Sequence, residues 1–168
     1  MGTPRSFPVA RTAVVFAVMT GFVLVIPVVL VTIGWATPGL RTPMVVAAGI
    51  VVLLTVGTWL AGRPTRFEVA DDGLHIVWPL RRGFVARGAI TRARVVEKSE
   101  VDALMGGAMR VGVGGLFGVF GLLRTAKLGW VSCYVTTVET LVLIERREGR
   151  CLLISPSDPG ALVALLSR

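Results

Sequence analysis

The chain has 168 residues, 54% of them hydrophobic, and a mean hydropathy of +0.76, which excludes an ordinary water-soluble domain. A net charge of +8 calls for an anionic neighbour. Because the basic residues flank long apolar runs, that neighbour reads as a lipid surface and not as nucleic acid.

Two runs, 12–33 and 44–61, organise the N-terminal part, and between Thr12 and Gly62 the only charge is Arg41. At 1.5 Å per residue the first run reaches about 33 Å, enough to cross a hydrocarbon core of about 30 Å; the second lies near the lower limit. Lipid offers the backbone no hydrogen-bond partner, so both runs are expected to be helical despite their valines. The reading is a transmembrane helical hairpin over residues 12–62, preceded by a cytoplasmic tail, 1–11. Pro27 should kink the first helix. Gly49, Leu53 and Gly57 recur at helical spacing, so the two backbones should approach closely there. Trp35, followed by Pro38, Gly39 and Pro43, marks the turn and one interface, and Trp59 marks the other.

Arg5 and Arg11 precede the first run, Arg41 alone occupies the link, and Arg63, Arg66, Arg81 and Arg82 follow the second. The positive-inside rule then places both termini in the cytoplasm of a multi-pass protein of the cell membrane. Gly34-Trp35-Ala36 resembles a signal-peptide cleavage site, but the first run is too long for a signal and a second follows at once.

From Arg66 the apolar period changes to two. Strands are expected over 66–70, 74–78, 82–86, 90–96, 130–136, 141–145 and 151–154, the first pair turning on Asp71-Asp72-Gly73. Asp158 and Pro159 then open a helix. Residues 103–123 hold seven glycines and one charge, Arg110. A third span through them is disfavoured by glycine's poor helix propensity and by the cost of a central arginine. A long glycine-rich loop with a strand is expected instead.

In this order the parts resemble the bacterial membrane-anchored pleckstrin-homology-like family. The residues that carry the likeness are Gly114-Gly115-Leu116-Phe117-Gly118-Val119-Phe120-Gly121, Leu128-Gly129, Tyr134-Val135-Thr136, Leu141-Val142-Leu143-Ile144 and Ile154-Ser155-Pro156-Ser157-Asp158-Pro159. The resemblance implies an α+β membrane protein. Its two-helix hairpin would be followed by a PH-like domain, 63–168, a seven-stranded barrel or bent sheet capped by a C-terminal helix. It adds little about biochemistry. Phosphoinositide-binding members of the wider superfamily place basic residues on the first hairpin loop. Here that loop carries Asp71 and Asp72, which speaks against such a head group.

Enzymatic signals are thin. G-x-G-x-x-G fails because its third position falls on Phe117, and no Gly-Lys-Ser/Thr occurs. His75, the only histidine, lies mid-strand without a neighbouring nucleophile. Asp71 and Asp72 are explained by turn chemistry. Cys133 and Cys151 fit buried thiols better than a disulfide or metal site. No acid lies in either run to carry a proton or ion. The expectation is therefore a non-enzymatic, cofactor-free, membrane-tethered module. It would act on a protein partner, a second copy or a lipid surface. The alternative is an accessory subunit of an envelope-synthesis or transport complex that works through its helices. Leu116, Phe117 and Phe120 are the candidate contacts with membrane or partner, because apolar side chains of that size are not left in water. Arg63, Arg66, Arg81, Arg82 and Arg87 are the candidate contacts with anionic lipid.

Overall fold

A computed structural model describes residues 4–97, 99–100, 103, 109–114, 116–125, 128–137 and 139–167. The apolar runs become α1 (Val14–Ala36) and α2 (Arg41–Gly62), both long and apolar enough to cross a membrane. Only 6% and 11% of their most apolar windows are buried, so neither serves as the core helix of a globular domain. α1 remains helical on both sides of Pro27. The close approach falls at Gly34, where an added Cβ would lie 2.8 Å from the Met44 Cβ. Gly49 and Gly57, expected from sequence to bring the backbones together, have nothing within 4 Å. α2 buries Ala48 and Thr55 instead, seven residues apart and hence on one face. Across the turn, the Arg41 guanidinium sits 4.5 Å above the Trp35 ring.

Two open sheets account for the β structure. In the first, β1 (Arg5–Pro8), β2 (Arg66–Val69), β3 (Gly73–Val77) and β4 (Arg82–Ala86) pair antiparallel in sequence order. The second holds β5 (Ile90–Glu97), β6 (Met109–Gly114), β7 (Val119–Thr125), β8 (Gly129–Val135), β9 (Thr140–Arg146) and β10 (Cys151–Ile154). Their spatial order is β5-β9-β10-β8-β7-β6, with β10 parallel to β8. The expected seven-stranded barrel or bent sheet is thus corrected to two sheets that do not close, with nine strands from Arg66 onward and a tenth before α1 among the described residues. The seven expected strands are present. The additions are β6 and β7 within the glycine-rich segment, and β1 within the residues read as a tail. The β6–β7 hairpin also removes the third-span alternative, although Leu104–Ala108 and Gly115 of that segment lie outside the described residues.

Packing explains β1. Phe7 faces Phe67 in register and is buried with it, while Pro8 sits on an edge strand, where a missing N–H costs no ladder bond. One core cluster joins Phe67, Leu74, Ile76, Val142 and Ile144 to Leu162 of α3 (Pro159–Leu166). A second joins Val96, Leu123, Val131, Leu141 and Leu143, and Phe16 of α1 packs against it. β9 therefore buries both its faces. Each of its four apolar side chains, Leu141 to Ile144, contributes up to about 1.5–3 kcal/mol. As expected from sequence, Asp158 caps α3, accepting the Ala161 N–H at 2.9 Å.

Candidate functional site

Three attachments hold the sheets against the helices. The first is a buried hydroxyl node. Thr136 Oγ1 donates to the Ala10 carbonyl at 2.8 Å and lies 3.0 Å from Ser155 Oγ, which accepts the Thr136 N–H at 2.9 Å. A hydroxyl has one hydrogen, so Ser155 is the donor between the two side chains. The Ala10 N–H donates to the Ser155 carbonyl and the Ala13 N–H to the Thr136 carbonyl, both at 2.9 Å. The chain entering α1 is fixed on two strand ends.

The second attachment is the β3–β4 turn. Trp78 Nε1–H donates to the Gly62 carbonyl and Arg81 Nη2 to the Ala61 carbonyl, each at 3.2 Å. The last carbonyls of a helix have no partner within it, so these donors finish α2. Arg81 also stacks 4.3 Å above the Trp78 ring. Between them Leu80 is 73% exposed. In the third attachment, the Phe117 N–H donates to Thr20 Oγ1 at 3.0 Å, and Thr20 donates to its own helix at the Phe16 carbonyl. Thr20 lies six residues into α1, about 9 Å along the axis.

The structure divides the five candidate arginines. Arg63, Arg81 and Arg82 gather at the end of the first sheet that adjoins α2. Arg66 begins β2 at the same end but is paired with Glu68 at 2.5 Å. Arg87 follows β4 at the opposite end, about 16 Å along the strand, and donates to the Leu165 carbonyl at the end of α3. That far end also carries Asp71 and Asp72, with His75 Nε2 3.0 Å from the Asp72 carboxylate and its ring tilted against Phe84 at 4.8 Å between centroids.

The three apolar candidates divide too. Phe120 is only 4% exposed and lies against Gly62, where an added Cβ would meet its ring at 3.5 Å. Leu116 and Phe117 stay half-exposed on the β6–β7 turn. Phe117 has φ +59°, a left-handed conformation that costs a side-chain-bearing residue about 1–2 kcal/mol. Gly118 follows at φ +148°, and an added Cβ there would lie 2.2 Å from the Val135 carbonyl oxygen.

A cavity of about 600 Å³ separates α2 from β7 and β8. α2 contributes Leu53, Leu54, Gly57, Thr58 and Ala61, while Arg81, Ser132, Tyr134 and Arg150 supply polar groups from the other side.

Against this geometry, residues 65–168 match the family model described as Bacterial PH domain, which is more than half of the chain. The chain belongs to that family. No curated protein matches it, and no solved structure does.

PH-like domains generally bind and do not catalyse. Among the described residues of this one, no three His, Cys, Asp or Glu side chains gather to hold a metal. Cys133 sits opposite Leu153 and Cys151 opposite Val131 across the parallel pair. The residues that sequence reasoning missed are Leu80, Trp78, Tyr134 and Arg150. Leu80 left a signal: a large apolar residue between Pro79 and two arginines in a turn has no core to enter. The cavity's composition left none, because α2, β8 and the β9–β10 turn are far apart in sequence.

Proposed function

We propose that this chain is a non-enzymatic, membrane-tethered PH-like module whose hairpin spans the membrane with both termini on the cytoplasmic side. The observation that carries the reading is the β3–β4 turn. Leu80 is exposed next to Arg81 and Arg82 at the end of the sheet tied to the last carbonyls of α2. An apolar tip with cations beside it suits the interface of an anionic leaflet, where each arginine contributes about 1 kcal/mol. The pairing of β1 with β2 supports termini on one side, since the strand before α1 and the domain after α2 share a sheet. The greater number of arginines at that side makes it the inner one. The opposite end, with Asp71, Asp72 and His75, is left for a protein partner.

Reporter or cysteine-accessibility fusions at Met1, Thr37 and Arg168 test the reading. External labelling is expected at Thr37 alone, and an externally labelled C-terminus overturns it. A second reading, an accessory subunit working through its helices, is favoured by the open flank at Gly49 and Gly57. Partners captured from mild detergent that survive deletion of residues 66–168 support the subunit, and partners lost with the deletion support the module.

A further inference from the structure

We infer that the cavity between α2 and the second sheet is a binding site for one anionic glycerophospholipid. One of its acyl chains would lie along α2 and its phosphate between Arg81 and Arg150. The inference rests on the membrane-anchored reading above. About 600 Å³ falls within the range of small-ligand sites, and the wall is amphipathic in one direction. From Leu53 to Ala61 the α2 side offers a mainly apolar surface over about 12 Å of helix axis, and its one hydroxyl, on Thr58, is already spent on the Leu54 carbonyl at 2.8 Å. Phe120 and Leu122 continue it on the sheet. The opposite rim offers two guanidiniums and the hydroxyls of Ser132 and Tyr134.

Arg81 is preorganised for a phosphate. Its stack on Trp78 fixes the guanidinium plane, and the bond to the Ala61 carbonyl uses one of five N–H donors. Arginine's planar fork suits a phosphate oxygen pair better than a point charge does. No aspartate or glutamate is among the described lining residues, so a zwitterionic head group finds no partner for its ammonium. The last turns of α2 line the cavity, and in the anchored reading an acyl chain from the bilayer would reach it along them. Those features favour a lipid over a soluble phosphate, which would leave the apolar wall empty.

The test uses the full chain, delipidated in mild detergent, and native mass spectrometry with dioleoyl phosphatidylglycerol, dioleoyl phosphatidylcholine or glycerol 3-phosphate. Phosphatidylglycerol is expected to be retained at least tenfold better than phosphatidylcholine. The preference should disappear in Arg81→Gln/Arg150→Gln, and it should weaken in Arg150→Gln, which leaves the Trp78 stack intact. Gly57→Leu, whose new side chain enters open space, should lower retention of both lipids while the arginines remain. Equal retention of the two lipids overturns the inference. So does full binding by Gly57→Leu, competition by glycerol 3-phosphate at the lipid's own concentration, or a co-purifying protein helix that excludes lipid from the groove. Release of the wild-type chain from membranes by alkaline carbonate would overturn the anchoring itself. Stable anchoring with no head-group preference would overturn the lipid site alone.

Discussion

Replacing Thr136 with valine keeps the shape of the side chain and removes one hydroxyl from the node that fixes the entry to α1. Two groups then lose a partner: the Ala10 carbonyl, bonded at 2.8 Å, and the Ser155 hydroxyl, 3.0 Å from Thr136 Oγ1. Ser155 is wholly buried, so its hydroxyl finds no water in exchange, whereas the partly exposed Ala10 can be rehydrated. A cost of about 1 kcal/mol for the carbonyl and about 1–3 for the hydroxyl gives about 2–4 kcal/mol. The loss is local, and hydrogen exchange of the full chain in mild detergent reads it directly. The Ala10 and Ala13 amides, bonded to Ser155 and Thr136, should exchange roughly 30- to 1,000-fold faster if opening becomes easier by that amount. Amides in β9 should be unaffected. Thr136→Ser keeps the hydroxyl and should lose only about 1 kcal/mol for the methyl group. Exchange at Ala10 and Ala13 within threefold of wild type, or a serine variant as damaged as the valine one, would refute the node as the latch.

Gly118→Ala forces a Cβ to 2.2 Å from the Val135 carbonyl oxygen at φ +148°. Thermal unfolding should show a loss of about 3 kcal/mol, and a change under 1 kcal/mol would mean the turn is not built this way. Phe117→Gly relieves the left-handed strain. Stability should stay level or rise by about 1 kcal/mol, and a loss above 2 would make Phe117 a core residue and not a contact. Phe120→Ala should cost about 3–5 kcal/mol in the same measurement, because that ring is buried against Gly62. Asp158→Ala should cost about 1 kcal/mol through loss of the α3 cap, with no effect on lipid retention.

Sequence revealed those features whose cause is local. The α1 and α2 runs announce themselves by length and lack of charge, the seven expected strands by alternation between turn residues, and α3 by Asp158 and Pro159. What escaped it has a cause elsewhere in the chain. Four residues ending in proline do not read as a strand until Phe7 is seen to fill a place beside Phe67. The glycine-rich segment reads as a long loop with one strand, and not as a hairpin, because propensity counts against each glycine. Yet Gly112 and Gly121 face one another across the β6–β7 ladder, and Gly118 makes room for the Val135 carbonyl. The pairing of β10 with both β8 and β9 joins residues about 20 positions apart in parallel, and no period encodes it. Candidate contacts fared similarly. Phe117 and Phe120 stand three residues apart in one apolar motif, and only tertiary packing shows that the first is half-exposed and the second covered.

The charge at the first hairpin gains a geometric reason from the fold. β2 begins at Arg66, four residues after α2 ends, and runs away from the helix before Asp71 and Asp72 turn the chain back. Four residues of strand carry that turn about 13 Å from the helix end, so under the proposed anchoring it is the wrong place from which to reach the bilayer. Acids there cost no lipid contact, and one of them holds His75 at 3.0 Å. Under that anchoring, the residues placed to meet the membrane surface are those returned to the helix end by β3, namely Leu80, Arg81 and Arg82, together with Arg63 at the helix terminus. A domain joined to α2 by only Pro64 and Thr65 between Arg63 and β2 has little freedom to present any other end. The short linker, the Trp78 and Arg81 bonds to the last carbonyls of α2, and the acidic far turn are mutually consistent. Each favours a fixed orientation of the first sheet on α2, which is the orientation that the proposed lipid site beside α2 requires.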